Sequence, residues 1–458
     1  MNSTLLALVL LVFMALAYQF GLVRSKQQSR NLSREQVHSR PVYHATWLAI
    51  CCGLPSLFLL VFWSLLEPLV IKNLVLTRWS ELLSGPAETA GVILLRRLEE
   101  LNAGQILASS ATALEIQAAQ QLSQLKVYAA LIKTVLIALV SMAGLVFALK
   151  KMHTSFQARP QVEKVIKVLL VSCSAIAILT TLGIVLSMLS EAINFFNFVK
   201  PADFFFGTTW NPAFSSTGDA HGDYGLLPLL WGTLMVSLIA MLVAIPLGLM
   251  TAIYMAEYAP NWFRNLAKPV IEILAGIPTI VYGVFALLAV GPFFAAAGAL
   301  LGIQVRATSA LTAGVVMGLM IIPFVSSLSD DLITRVPQSL RDGALGLGAT
   351  RSETIRQVVL PAALPGIIGA FLLAFSRAIG ETMIVVLAAG NSPQLHANPF
   401  EAVSTVTVSI VNQLTGDTDF AGPQSLVAFA LGLTLFAITL VLNVVALYVV
   451  RKYREHYE

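Results

Sequence analysis

The sequence predicts an all-α, polytopic membrane protein with about nine transmembrane helices. Of its 458 residues, 57% are hydrophobic and only 11% are charged, and the mean hydropathy is +0.81. These values lie outside the range of a water-soluble domain. The apolar runs are continuous and do not alternate with polar residues, which excludes a transmembrane β-barrel.

Nine apolar windows are long enough to cross a hydrocarbon core of roughly 30 Å as helices. We place them at roughly 4 to 23, 45 to 66, 127 to 149, 167 to 190, 227 to 255, 269 to 297, 307 to 328, 364 to 390 and 426 to 450. A polar stretch at 150–166 separates the first three windows from the last six. We therefore expect an N-terminal extension, 1–160, with three spans, and a C-terminal domain, 161–458, with six spans.

Basic residues accumulate in the loops on one side of these spans. They follow the first and third spans and end the chain: Arg24, Lys26, Arg30, Arg34, Arg40, Lys150, Lys151, Arg159, Lys164, Lys167, Arg451, Lys452 and Arg454. The loop 391–425, by contrast, contains no Lys or Arg. Because basic loops stay in the cytoplasm, we predict an external N-terminus and a cytoplasmic C-terminus. The first span is expected to remain as an anchor, and a cleaved signal peptide is the alternative.

A stretch between the second and third spans, about 67–126, is rich in Ala, Gln, Glu and Leu. Its leucines recur at roughly helical intervals. We therefore predict an external helical hairpin that breaks near Asn102 to Gly104. Such a hairpin is either a plain amphipathic connector or a contact surface for an external partner.

Metal sites and nucleotide hydrolysis are not expected in this chain. Its three cysteines lie in apolar stretches, where thiols act as small hydrophobes, and its histidines lack the spacing of metal ligands. The sequence has no GxxxxGK[ST] phosphate loop, so any ATP hydrolysis must come from another subunit. A formal net charge of +4 is explained by cytoplasmic loops that face anionic lipid headgroups, and it does not require nucleic acid.

The C-terminal domain contains a polar segment at about 329–362. Pro337 suits a helix start, and the apolar residues of that helix share one face: Leu340, Ala344 and Leu347. Gly348 then permits a sharp turn. Thr350 and Glu353 form a capping box for a second helix, which Pro361 either ends or joins to the next span. The result is a helix-turn-helix at the cytoplasmic surface, either a docking surface for a partner or a simple interfacial loop.

This segment resembles the coupling loop of binding-protein-dependent ABC-importer permeases, which reads Glu-Ala-Ala, Gly and Ile-x-Leu-Pro. The residues at those positions are Asp342, Gly343, Ala344, Gly348, Leu360 and Pro361. The resemblance implies that they couple the chain to a separate ATPase. Asp342 and Gly343 replace the usual Glu and Ala, and Gly343 should weaken the helix by roughly 1 kcal/mol.

The resemblance covers the six-span part and is closest to the phosphate-specific permeases of the PstC type. Five motifs carry it, at 232–237, 252–259, 274–283, 347–355 and 377–383. It implies a six-helix permease core in the bacterial inner membrane. It also implies three partners: a PstA-type permease, a PstB-type ATPase dimer and a PstS-type periplasmic phosphate-binding protein. For the N-terminal extension it implies only that some such subunits are similarly extended.

Arg377 and Glu381 lie four residues apart near the middle of the predicted span 364–390, on one helical face, and Thr382 follows them. An ionised side chain at that depth costs about 2.5 to 3.5 kcal/mol, so such residues pair or face a polar cavity. The planar donor fork of Arg377 matches phosphate oxygens, and re-pairing with Glu381 would release the anion. The resemblance likewise implies this pair in phosphate passage. The alternative is that the two residues only neutralise each other and lock helix packing.

Two other functional classes are compatible with the composition. One is an ion-coupled secondary transporter in which Glu381 carries protons, and the other is a membrane scaffold or sensor of phosphate status. Neither explains the spacing of the coupling loop. We therefore expect ATP-driven phosphate import by alternating access, with this chain as a non-enzymatic subunit. Glu257 and Glu272, near the cytoplasmic boundary, are explained by solvation or by a basic neighbour such as Lys268.

Overall fold

The computed structural model describes residues 3–29, 39–78, 94, 96–98, 100–102, 112–152, 156–212, 222–415 and 422–454. The chain forms two compact units, Met1–Ile178 and Leu179–Glu458. Nine helices in the described part of the chain are long and apolar enough to cross a membrane, which confirms the all-α, nine-span prediction. The division that we predict near residue 160 stays a prediction.

Four long helices lie in the described part of the N-terminal unit, and the fourth continues into the other unit. They are α1 (Ser3–Ser29), α2 (Pro41–Arg78), α3 (Ala113–Lys151) and α4 (Ala158–Phe198). At 39 residues, α3 is roughly 58 Å long, about twice the thickness of the hydrocarbon core. Both α2 and α3 therefore extend well beyond the predicted spans.

The extended parts of α2 and α3 are held together by their own apolar cluster. Ile71 and Val75 of α2 pack with Leu122 of α3, and Leu94 and Leu98, which are also helical, complete the cluster. Leu98 has no exposed surface. The burial of these side chains stabilises the extensions because it removes apolar surface from water.

A capping box fixes the start of α3. The Thr112 hydroxyl accepts a hydrogen bond from the Glu115 N–H, and the Glu115 carboxylate accepts one from the Thr112 N–H at 2.8 Å. The Asn102 side chain donates to the carbonyl of Ala119 at 2.8 Å. Of the predicted break near Asn102 to Gly104, the structure describes only Asn102, and the rest lies outside the described residues.

A buried ion pair joins α1, α2 and α3 of the N-terminal unit. The Lys133 Nζ on α3 lies 2.7 Å from Glu67 Oε2 on α2 and donates to the Ser3 hydroxyl on α1 at 3.2 Å. The side chains of Lys133 and Glu67 are only 5% and 19% exposed. Each charge is therefore compensated inside the bundle, as buried ions require.

The C-terminal unit contains most of the remaining elements. They are α5 (Pro201–Phe206), β1 (Trp210–Asn211), β2 (Asp223–Tyr224), α6 (Leu227–Ile253), α7 (Asn261–Ala275), α8 (Thr279–Phe285), α9 (Gly291–Leu300), α10 (Ala310–Thr334), α11 (Gln338–Gly346), α12 (Arg351–Thr354), α13 (Leu360–Ile379), α14 (Met383–Ala388), α15 (Val406–Thr415) and α16 (Pro423–Arg454). The two short strands pair antiparallel, with Trp210 opposite Tyr224. Three π-helical turns, 254–258, 286–290 and 355–359, follow α6, α8 and α12.

The helices α6 and α10 form the centre of this unit and approach each other closely. At Gly314 and Gly318 of α10 an added Cβ would lie 2.6 Å from Ile239 and 2.8 Å from the carbonyl of Ala240, both on α6. Small residues allow such an approach. In lipid, where the hydrophobic effect does not drive helices together, the van der Waals contacts of this close packing stabilise their association. The fully buried residues of the central core are Val236, Ala240, Ala244, Ala286, Ala310, Ala313, Val316, Ile321, Val325, Ala374, Ile384, Ala388 and Ala389.

Two of the predicted spans are not continuous helices in the structure. The window 269–297 is divided between α7 and α8, because Pro278 has an extended backbone and no N–H to continue the first helix. The window 364–390 is also broken, because α13 ends at Ile379 and α14 starts at Met383. The second break falls on the predicted charged pair.

Candidate functional site

The predicted helix-turn-helix is present in the structure. Pro337 occupies the N-cap position of α11, and none of the nine residues of α11 is buried. Gly348 turns the chain with a φ of +89°, a left-handed conformation that glycine adopts without strain. Leu347 is 92% exposed at the tip of the loop. The loop therefore presents free apolar side chains, as a docking surface for another subunit would.

The second helix of the loop continues into the membrane. The Thr350 hydroxyl accepts from the Glu353 N–H, and the Glu353 carboxylate accepts from the Thr350 N–H at 2.8 Å, which confirms the capping box. Pro361 does not end this helix. A π-helical turn, in which the Leu360 N–H bonds to the carbonyl of Ile355, precedes Pro361 and accommodates its missing N–H. A helical segment of 29 residues thus runs from Arg351 to Ile379.

The two residues that depart from the family pattern are exposed. The Asp342 carboxylate accepts a hydrogen bond from the Gln338 side chain at 3.1 Å, one turn earlier in α11. Around Gly343, no atom from another part of the described chain lies within 4 Å of the position that a Cβ would occupy. Neither residue is thus constrained by packing against the described residues. Ala344, which keeps the family residue, is partly buried.

Glu257 and Asp330 have partners that the sequence did not predict. Glu257 pairs with Arg341 at 2.9 Å, not with Lys268. Lys268 instead bonds to Asp330 and Asp331 on α10, at 3.1 and 3.2 Å. The hydrogen bond from Lys268 to Asp330 raises the pKa of Lys268 above its ordinary value, although partial burial opposes this shift. These pairings join positions more than 60 residues apart, so that no local pattern could have found them.

The second candidate site is the break between α13 and α14. Gly380 caps α13, and Thr382 occupies the N-cap position of α14, where its carbonyl accepts from the Val386 N–H at 2.9 Å. The Thr382 hydroxyl lies 3.4 Å from the carbonyl of Gly380. Backbone that is not helical at membrane depth is tolerated only where protein or a polar cavity surrounds it. Discontinuous membrane helices of this kind commonly form substrate sites in transporters.

Arg377 and Glu381 do not form the predicted pair. Within the described residues no ion pair joins them, because Glu381 lies beyond the end of α13 and its carboxylate accepts from the Met383 N–H at 3.2 Å. Arg377 is exposed in this chain, and its guanidinium carbon lies 5.8 Å from the ring centroid of Phe324. Phe324 is near the middle of α10, which places Arg377 at a similar depth. The guanidinium therefore keeps its donors available to an anion.

Comparison with known proteins gives matches over both parts of the chain. A family model described as a phosphate ATP-binding cassette transporter matches residues 7–180. A second model, described as the inner membrane component of binding-protein-dependent transport systems, matches residues 244–455.

Individual relatives align over more than half of the chain. A probable ABC transporter permease protein, YqgH of Bacillus subtilis, is 34% identical over 279 residues, which cover 60% of this chain and 86% of that protein. The phosphate transport system permease protein PstC of Mesorhizobium japonicum is 32% identical and covers 61% of this chain and 87% of its own length. PstC of Haemophilus influenzae is 33% identical, with coverages of 55% and 82%.

Proposed function

This chain belongs to the inner-membrane permease family of binding-protein-dependent ABC transporters, and we propose that it translocates inorganic phosphate as a subunit of an ATP-driven importer. It is a multi-pass membrane protein and a transport subunit without enzymatic activity of its own. Its family works with a separate ATPase and a substrate-binding protein. The PstC-type resemblance is thereby confirmed.

The observation that carries this function is the helical connection between the two candidate sites. The coupling loop around Gly348 and the break at Gly380 lie at opposite ends of the helical segment Arg351–Ile379. Displacement of the loop by an ATPase would therefore move the break with it. Rigid-body movement of packed helices between two arrangements is an established means of alternating access.

The chemistry of the break suits a phosphate ion. Arg377 offers a planar fork of donors to two phosphate oxygens, while Glu381 is occupied by the Met383 N–H in this structure. In the other arrangement Glu381 pairs with Arg377 and displaces the anion, because a conducted ion must also be able to leave. Thr382 lines the same break. The proposed coupling contacts in the loop are the exposed Asp342, Gly343 and Gly348 and the partly buried Ala344. Leu360 and Pro361 complete them in the helix that follows.

The partners and topology follow from the same proposal. The chain pairs with a PstA-type permease, a PstB-type ATPase dimer docks on the coupling loop, and a PstS-type protein delivers phosphate from the periplasm. The N-terminus is periplasmic and the C-terminus is cytoplasmic, as the basic loops indicate. Residues 1–160 form the extension and residues 161–458 form the permease domain.

Reconstitution tests this function directly. Proteoliposomes that contain this chain with its PstA- and PstB-type partners, and PstS-type protein outside, should import labelled phosphate only when ATP is enclosed. Uptake should persist when the proton gradient is collapsed. Uptake that follows the gradient without ATP would instead indicate an ion-coupled transporter. Full uptake after deletion of 161–458 would indicate a scaffold or sensor.

A further inference from the structure

Both helices of the coupling loop are attached to the π-helical turn that directly follows α6, the α6 turn. It comprises Tyr254–Tyr258 and ends where the Ala259 N–H bonds to the carbonyl of Tyr254. π-helical turns are rare and occur frequently at functional sites. The two attachments come from Arg341, in α11, and from Arg351, which starts α12.

Arg341 joins three helices through one guanidinium. Its Nη2 and Nε donate to Glu257 Oε1 of the α6 turn at 2.9 and 3.2 Å. Nη2 also donates to the carbonyl of Ile333 at 2.8 Å, and Nη1 donates to the carbonyl of Val336 at 2.6 Å. Ile333 belongs to the last turn of α10, and Val336 follows that helix. The side chains of Arg341 and Glu257 are only 13% and 10% exposed.

Arg351 attaches the second helix to the same turn. Its Nη2 donates to the backbone carbonyl of Glu257. Its guanidinium carbon lies 5.4 Å from the ring centroid of Tyr258, a cation–π contact. The α6 turn is therefore held by both helices of the loop, at the carboxylate and at the backbone of one residue.

The first helix of the coupling loop, α11, thus carries residues with two different roles. Asp342 and Leu345 are exposed, and Leu347 follows at the tip. The charge of Arg341 is nearly buried against Glu257. Removal of one partner from such a pair leaves an uncompensated charge, so the contact resists separation when an ATPase displaces the exposed residues.

We infer that Arg341, Glu257 and Arg351 form the transmission node of the importer. They are positioning residues that make α6 and the end of α10 follow the coupling loop, in addition to the direct helical connection into α13. This inference rests on the proposed function. When the node is disrupted, the loop still moves with the ATPase but α6 does not follow it. ATP is then hydrolysed, but less phosphate is imported for each ATP.

The test measures phosphate imported per ATP hydrolysed in the same proteoliposomes. Arg341→Gln and Glu257→Gln should lower this ratio roughly five-fold or more, because about five-fold is the lower limit of typical coupling between two sites. Arg341→Lys keeps the charge but lacks the planar fork, so its ratio should fall between those of Arg341→Gln and wild type. ATPase activity and copurification of the ATPase should be retained in all three.

Arg335→Gln is the matched control. Arg335 is an exposed arginine at the same end of α10, and its side chain has no ion pair within the described residues. The ratio for this variant should equal that of wild type.

The outcomes separate the two proposals. If wild type imports phosphate with ATP and the ratio is unchanged in Glu257→Gln, the node is wrong while the importer stands. Glu257→Gln keeps the volume and an acceptor, so it decides the matter even if Arg341→Gln fails to assemble. If wild type itself imports no phosphate, the proposed function fails.

Discussion

The Thr407 hydroxyl donates a hydrogen bond to the backbone carbonyl of Glu381 at 2.8 Å, across 26 residues of sequence. This contact joins the first turn of α15 to the break between α13 and α14. Thr407 is buried, and the carbonyl that it satisfies lies beyond the end of α13. The break is thus supported from a second helix and is not simply a frayed end.

Thr407→Val should destabilise the break. The loss of this hydrogen bond leaves a carbonyl unsatisfied, which costs about 1 to 3 kcal/mol when the group is buried. We expect a lower unfolding temperature of the detergent-purified protein and reduced phosphate uptake. Thr415→Val is the control, because among the described residues the Thr415 hydroxyl bonds only to the carbonyl of Val411 in its own helix. Equal behaviour of the two variants would contradict a special role for the break.

Gly348→Pro should abolish uptake while the protein still inserts into the membrane. Proline fixes φ near −65°, whereas Gly348 has a φ of +89°. The turn between α11 and α12 cannot form in this variant, and the docking surface is lost. Labelled phosphate uptake and the amount of protein in the membrane fraction check both parts. Uptake at the wild-type rate would remove the docking role of the loop.

Gly343→Ala should stabilise α11, the first helix of the coupling loop. Glycine inside a helix costs about 1 kcal/mol relative to alanine, and the open space around Gly343 leaves room for the added methyl group. We expect the ATPase to copurify more tightly with this variant. Binding that is unchanged within error would show that helix stability at this position does not limit docking.

The Lys133–Glu67 pair should be essential to the N-terminal unit. Removal of one partner of a buried ion pair typically costs about 3 to 5 kcal/mol, whereas replacement of both by apolar residues is often neutral. Lys133→Met should therefore lower the unfolding temperature, and Lys133→Met with Glu67→Leu should restore most of the loss. No recovery in the double variant would mean that packing, and not the charge pair, dominates there.

Local patterns predicted the elements whose signals are close together in sequence. The Thr350–Glu353 capping box and the turn at Gly348 needed only a few neighbouring residues, and both are present. The long apolar windows likewise gave the number of spans. Hydropathy could not locate the break at Gly380, because apolar residues resume directly after Thr382 and the stretch 364–390 remains apolar on average.

Contacts between residues that are far apart in the sequence could not be predicted from local patterns. Arg377 and Glu381 have the spacing of a helical ion pair, yet helix termination at Ile379 separates them. Glu257 finds its partner 84 residues later in Arg341 of α11, and only the tertiary fold brings the two together. Spacing predicts partners within one helix but not the point at which that helix ends.

The role of Arg377 as an anion ligand is tested most directly by ATP-dependent phosphate uptake of Arg377→Gln, compared with wild type in the reconstituted importer. Glutamine removes the charge and the donor fork but keeps a polar side chain. We expect that uptake is lost while the complex assembles and its ATPase remains active. Uptake at the wild-type rate would contradict this role and would return Arg377 to a packing role beside Phe324.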